Sequence, residues 1–581
     1  MFFWLAKSLI MIKNRPNKRT LIALIFALLG SSLILSACQA TAATLVHTPD
    51  LAAQSPIPPV QTSEPTPEPS PTATQTPLTY WIDPNLPADL VAGFTPPDGF
   101  VPVDQVGDAF LILEQRKPGL TYLKEADWVY ALVAPFFTIA DSVTLLEIVQ
   151  ATNASTSAED RTIPQLQALE QDQQAIKQML FNRDIKQPDL VTADENAISQ
   201  ALDRTAWMIL PFHRLDTKWK VILVDGLSPL DDDFDLESYP LRLKYGLRLS
   251  DPELTIDEAV FPQSNFNPDQ LTSLIMTGVT AMARDTAYEM EIQGVLYPGT
   301  EIRDVMRGAG LTHVSNEVSF YEGCKFPDPD YTGFIFCSNP EYIKLLDDIG
   351  ADVIELTGNH NNDVRALYRV DSVPTTLELY EQYGMQWYAG GTDIANAQAP
   401  LKIEHNGNKL AFIGCNSYGP EMAWATADGS GSAPCQDWAW LKATIFNLKQ
   451  EGYLPIVTLQ YQEDYFPHAT ATAIRDFRPL AEAGAVIVNG SQSHVAKAME
   501  FYDHAFIHYG LGNLFFDQPE FYITYDSFIQ KHYFYQGRHI STQLLTITIE
   551  DIAKPRFMTA EERQIFLSDI FDLSKALRST P

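Results

Sequence analysis

The chain has 581 residues, 40 of them basic and 73 acidic, for a formal net charge of −33. Phosphate backbones need Lys and Arg to neutralise them, so this balance argues against a nucleic-acid-binding protein. The length allows two or more domains with full cores, and any polyanionic ligand must find a locally positive site against an unfavourable field.

At the amino terminus Lys7, Lys13, Arg15, Lys18 and Arg19 precede an apolar run over residues 21–35, and Leu35-Ser36-Ala37 leads into Cys38. This resembles a bacterial lipoprotein signal over residues 1–37. Its removal leaves a lipidated Cys38 as the mature terminus, anchored to the membrane outside the cytoplasm. The alternative is an uncleaved anchor, for which the apolar run is short. Residues 38–79 are dense in Pro, Thr and Ser and read as a stiff tether.

Residues 80–267 read as a mixed α/β domain. Apolar runs at 110–113, 128–133, 207–211 and 219–224 suit strands, and a polar stretch over 163–182 suits a helix. Segments 133–138 and 219–230 weakly resemble a lobe of periplasmic solute-binding proteins, which implies a ligand- or partner-binding role. A spacer with a tryptophan-rich core is the alternative. Asp231, Asp232, Asp233 and Asp235 lack the glycine and terminal Glu of a calcium loop and read as a solvated turn.

From residue 271 strands alternate with helices as far as 552, followed by a helical tail over 553–581. Such alternation indicates an α/β fold. With Cys38 lipidated, Cys324, Cys337, Cys415 and Cys435 remain. Their order suggests two short loops, 324–337 and 415–435, of the kind an oxidising exterior permits, although spacing leaves the connectivity open. Neither pair has the close spacing of a zinc site.

The apolar run 351–354 reads as a buried parallel strand. It ends on Gly358-Asn359-His360-Asn361-Asn362-Asp363, which sets an amide and an imidazole at a strand's carboxyl end, where open α/β sheets bind ligands. Gly358 is read there as the residue whose backbone freedom lets the turn aim them. Other blocks follow the same logic: Ser315-Asn316-Glu317, Gln460-Tyr461-Gln462-Glu463-Asp464-Tyr465, Gly490-Ser491-Gln492-Ser493-His494, and Tyr509-Gly510-Leu511-Gly512-Asn513.

In this order and spacing the blocks resemble the CapA family of capsule or poly-gamma-glutamate synthesis proteins over residues 271–552. The resemblance implies a metallophosphoesterase-like two-sheet sandwich flanked by helices, residues 268–552 forming that domain. It also exposes departures. Val279 stands where the family carries Asp, and Gln460 and Gln492 stand where it carries His, with Glu463 or Asp464 left as the nearby carboxylate. Amide oxygens are weak ligands for transition metals. The retained Asn316, Glu317, Asn359, His360, Asp363 and His494 could hold one divalent cation or act without metal. With Gln460, Gln492 and Asn513 they suit an amide or carboxylate ligand such as a glutamyl chain.

The leading expectation is therefore a surface-anchored CapA-like protein with a degenerate metallophosphoesterase-like pocket. Its role would lie in synthesis, export or anchoring of an anionic envelope polymer, alone or in a synthesis complex. The second is a metal-dependent hydrolase or transferase acting on phosphoesters or gamma-glutamyl amides. There Glu317, His360 and His494 bind the metal, Asn359 steadies the oxyanion, and Glu317 or Asp363 acts as base. The third is a non-catalytic solute- or partner-binding lipoprotein.

Overall fold

The computed structural model describes residues 78–152, 162–181, 190–250, 261–331, 333–519 and 521–578. The signal segment, most of the tether and Cys38 lie outside the described residues. Among the described residues no helix is long and apolar enough to cross a membrane.

All strands of the first sheet come from residues 78–249. At its centre lies Lys124–Pro135, whose residues from Trp128 to Ala134 are buried without interruption. A strand buried on both faces has no polar side to alternate with, hence the continuous apolar run. The helix expected over 163–182 is shorter. Leu166–Leu169 is a strand, and the α-helix runs only Gln173–Leu180. Leu166, Ala168 and Leu169 are buried in the core, so packing overrides the polar helical pattern. The acidic turn is also more engaged than expected: Asp232 pairs with Lys531 at 3.0 Å and accepts a hydrogen bond from Ser273.

Two further sheets form the sandwich. The second runs Gln386–Tyr388, Val353–Glu355, Leu311–Asn316, Leu271–Thr280, Asp526–Tyr535, Arg538–Glu550 and Lys554–Phe557, with Asn513–Phe515 joined to Leu271–Thr280. Its first four strands and Asn513–Phe515 are parallel, and the last three pair antiparallel. The third sheet has Asn408–Asn416, Leu454–Gln460, Ile487–Ser491 and Ala505–His508 parallel at its centre, with antiparallel edges.

The sheets meet through a shared apolar layer containing Leu274, Met276 and Val353 from one and Phe412, Ile456 and Ile487 from the other. Helices Arg284–Gln293 and Val373–Gln382 cover the outer face of the second sheet. Ala439–Gln450 and Ala471–Ala483 cover the third. This is the α/β two-sheet sandwich with flanking helices expected from the sequence. Polar groups between the sheets bond to one another, as where Gln530 bridges Asn489, His508 and His532.

Disulfides join Cys324 to Cys337 and Cys415 to Cys435, the pairing that the order of the cysteines suggests. Cross-links of this kind fit an oxidising, extracytoplasmic compartment.

Candidate functional site

Parallel strands that end together deliver their following loops to one edge. Thr280 is level with Asn316 in the second sheet, and Asn416, Gln460 and Ser491 are level in the third. At this edge Val318 forms a bridge with His360, drawing the loops after Leu311–Asn316 and Val353–Glu355 together. Gly358 makes the approach possible, although not by unusual backbone freedom as the sequence suggested. It avoids the left-handed region, and what it supplies is the absence of a Cβ, which would lie 2.2 Å from both Cα and Cβ of Glu317.

Gln460 is the hub. Fully buried, it donates from Nε2 to Asn359 Oδ1 at 2.9 Å and to Glu317 Oε2 at 3.2 Å, and also contacts Gln492 Oε1. Its own Oε1 accepts from Ser491 Oγ at 2.6 Å. Asn359 continues to His360 Nε2 at 3.2 Å, and His360 Nδ1 meets Asp363 Oδ2 at 2.6 Å. His494 is oriented by Asn513, whose Oδ1 lies 2.9 Å from its Nδ1. Both Gln492 and His494 hold left-handed backbone at φ 76 and 52, a conformation non-glycine residues adopt only when their surroundings enforce it.

Of the two candidate carboxylates, Glu463 faces the cluster, 3.5 Å from Gln492 Nε2, while Asp464 is taken by Lys497. Asn316 stands apart. Its amide nitrogen donates to Val318 O and Tyr380 Oη, bracing the strand end against the helix Val373–Gln382.

The sequence did not disclose the aromatic wall. Phe336 lies against His360 with ring centroids 4.0 Å apart, and Phe516 against His494 at 4.5 Å. The Arg284 guanidinium lies over both rings and pairs with Asp517 at 3.1 Å. Val279 belongs to the same apolar cluster as Phe336 and Phe516. Phe336 is brought in by the loop that the Cys324–Cys337 disulfide closes; the disulfide spacing was a signal for the loop, not for the ring.

Burial dominates the electrostatics. It pushes Glu317 up to about 7, and one of its oxygens, Oε1, has no hydrogen-bond partner. Burial pushes His494 down to about 4 and Asp517 up to about 7. For His360 burial pulls downward, but the bond to Asp363 and the Glu317 charge outweigh it and its pKa is raised.

The residues present do not fit the dinuclear metal centre that the sequence resemblance implies. Among the described residues no three His, Cys, Asp or Glu side chains are grouped to hold a metal ion. Val279 adds an apolar surface beside Phe336 and Phe516, and Gln460 aims N–H donors at Glu317 and Asn359, the acceptors a cation would use.

Two sheets packed face to face between helices, with His, Asn and carboxylate side chains converging at parallel strand ends, make this an α/β sandwich with a polar cluster at one edge. Residues 273–518 match the family model of the bacterial capsule synthesis protein PGA_cap. Similar curated proteins are the PGA biosynthesis protein CapA of Bacillus subtilis (strain 168), 24% identical over 45% of this chain and 67% of that one, and the capsule biosynthesis protein CapA of Bacillus anthracis, 23% identical over 49% and 74%. Among solved structures, the 5'-nucleotidase precursor of Thermus thermophilus is 12% identical, covering 53% of this chain and 60% of that one with a TM-score of 0.25. A likeness of that size carries no argument, and the fold rests on the sheets themselves.

Proposed function

We propose that this protein serves the biosynthesis of an envelope polymer through a metal-free pocket that binds amide and carboxylate groups, as along a gamma-glutamyl chain. The observation that carries the reading is the Gln460 amide, which bridges Glu317 and Asn359 from within the cluster. The amide N–H of such a chain offers a donor for the unpartnered Glu317 oxygen. The chain would act at the outer face of the membrane, tethered through Cys38, and Cys38→Ala is expected to release it from membranes.

The direct test is isothermal titration of the purified protein with gamma-glutamyl oligomers, before and after chelation. Binding that survives chelation and is lost in Asn359→Ala supports the reading. Binding only after metal is added overturns it.

A second reading is favoured by the Asp363–His360 contact at 2.6 Å together with a Glu317 carboxyl near neutrality. Such a set can exchange protons at neutral pH, which would make the pocket a metal-free acid–base catalyst on a gamma-glutamyl amide. Release of glutamyl amine by the wild type and not by Glu317→Gln separates it from binding alone.

A further inference from the structure

On the other side of the strand that carries Gln460 lies a cleft of about 730 Å³. Successive side chains of a strand point to opposite faces. Gln460 turns toward Glu317, whereas the next residue, Tyr461, packs toward the flanking helices against Phe477 and Trp438. Tyr461, Trp424 and Trp438 line the cleft together with Asn416, Gln436 and Gln462. Its volume is in the range of small-molecule and oligomer sites.

The cleft is held in shape by costly local structure. Gln436 and Trp438 both take left-handed backbone, at φ 54 and 66, immediately after Cys435, which is bonded to Cys415 on the neighbouring strand. A left-handed tryptophan is disfavoured, and strain of this type concentrates where a side chain must be presented in one direction. The Trp424 indole is fixed as well, its Nε1 donating to Asn416 Oδ1 at 3.2 Å. With that N–H occupied, what Trp424 has to offer is its ring.

Charge selects the ligand. The charged lining residues are Glu421, Arg475 and Asp476. Arg475 is engaged by Asp476 at 2.8 Å, and Asp476 also accepts from the Tyr461 hydroxyl at 2.6 Å. The lining thus carries one uncompensated negative charge, Glu421, on a strongly acidic protein, and repels an anionic chain. Ring faces interleaved with amides and hydroxyls match a ligand that has apolar C–H faces and neutral hydroxyl groups. We infer that this cleft is a binding site for a neutral saccharide chain, separate from the Gln460 cluster.

The test uses the full-length protein and two probes of equal length, a neutral N-acetylhexosamine tetramer and a hexuronate tetramer, followed by tryptophan fluorescence. The neutral tetramer is expected to saturate the signal. Trp438→Gly, which removes the indole while suiting the left-handed backbone, is expected to weaken binding about tenfold or more, and Trp438→Phe to retain most of it. His360→Ala is expected to leave saccharide binding unchanged, so failure at the Gln460 cluster is distinguishable from failure here. Absence of neutral-tetramer binding, tighter binding of the hexuronate, or a Trp438→Gly protein that folds and binds like wild type each overturns the inference.

Discussion

Gln460 and Glu317, 143 residues apart, meet with amide Nε2 3.2 Å from carboxylate Oε2, both side chains fully enclosed. Two acceptors that a cation could bridge, Glu317 and Asn359, are instead bridged by a neutral N–H donor. One Glu317 oxygen and the Asn359 oxygen are thereby satisfied by protein, while Glu317 Oε1 is left without a partner.

Removing that donor should therefore cost stability. Gln460→Ala removes the partner of Glu317 Oε2, of Asn359 Oδ1 and of the Ser491 hydroxyl in a buried place. Urea denaturation is expected to show a loss of roughly 1–3 kcal/mol, the penalty for orphaned buried polar groups. A variant as stable as the wild type would mean that the Gln460 bonds contribute nothing.

Gly358→Ala should act through geometry alone. The added methyl would fall 2.2 Å from backbone Cα and from Cβ of Glu317, so the two loops must separate. Overpacking of this kind costs about 1–3 kcal/mol, and gamma-glutamyl binding should fall with it. Unchanged thermal unfolding together with unchanged binding would contradict this close approach.

Stability should pass through a maximum close to neutrality. Glu317, Glu355 and Asp517 are raised to about 7 by burial, so the folded state holds protons that the unfolded chain releases. Their stabilising contribution is complete below the unfolded carboxylate range and is lost as pH rises through 7. His313, His508 and His539 are lowered to about 3 and His494 to about 4, again by burial. Their contribution is present above 6.5 and is lost as pH falls through the folded values. Glu317→Gln is expected to flatten the alkaline limb, gaining about 2–3 kcal/mol at pH 8.5 relative to pH 5. Denaturation midpoints at several pH values check both limbs.

The disulfides should account for every thiol in the described domain. Cys324, Cys337, Cys415 and Cys435 are expected to resist alkylation in unfolded, unreduced protein and to react after reduction. Replacing both Cys415 and Cys435 by Ala is expected to cost roughly 2–4 kcal/mol. It should also loosen Trp438, visible as altered indole fluorescence.

Much of the edge was legible because residues at strand ends stay in short contiguous blocks. Gly358 to Asp363 and Gly490 to His494 read as loops after apolar runs, and both reach the cluster. The substitution of Val279 was visible, but not its consequence, since an apolar residue reveals its partners only when Phe336 and Phe516 arrive from distant loops. The Arg284–Asp517 pair and the Ser491 bond were hidden for the same reason. Gly358 was singled out correctly but for backbone freedom, when its need is proximity to Glu317. In the first sheet Leu166–Leu169 deceived because a short strand amid Gln and Asp carries too few residues to show its period.

The central claim, that amide donors stand in for a metal at the Gln460 cluster, is tested most directly by elemental analysis of the full-length protein after dialysis against each of Mn²⁺, Zn²⁺ and Fe²⁺. Metal is expected well below one equivalent per chain, at the same value in His360→Ala. One or more equivalents of a single metal, lost on His360→Ala, would contradict it.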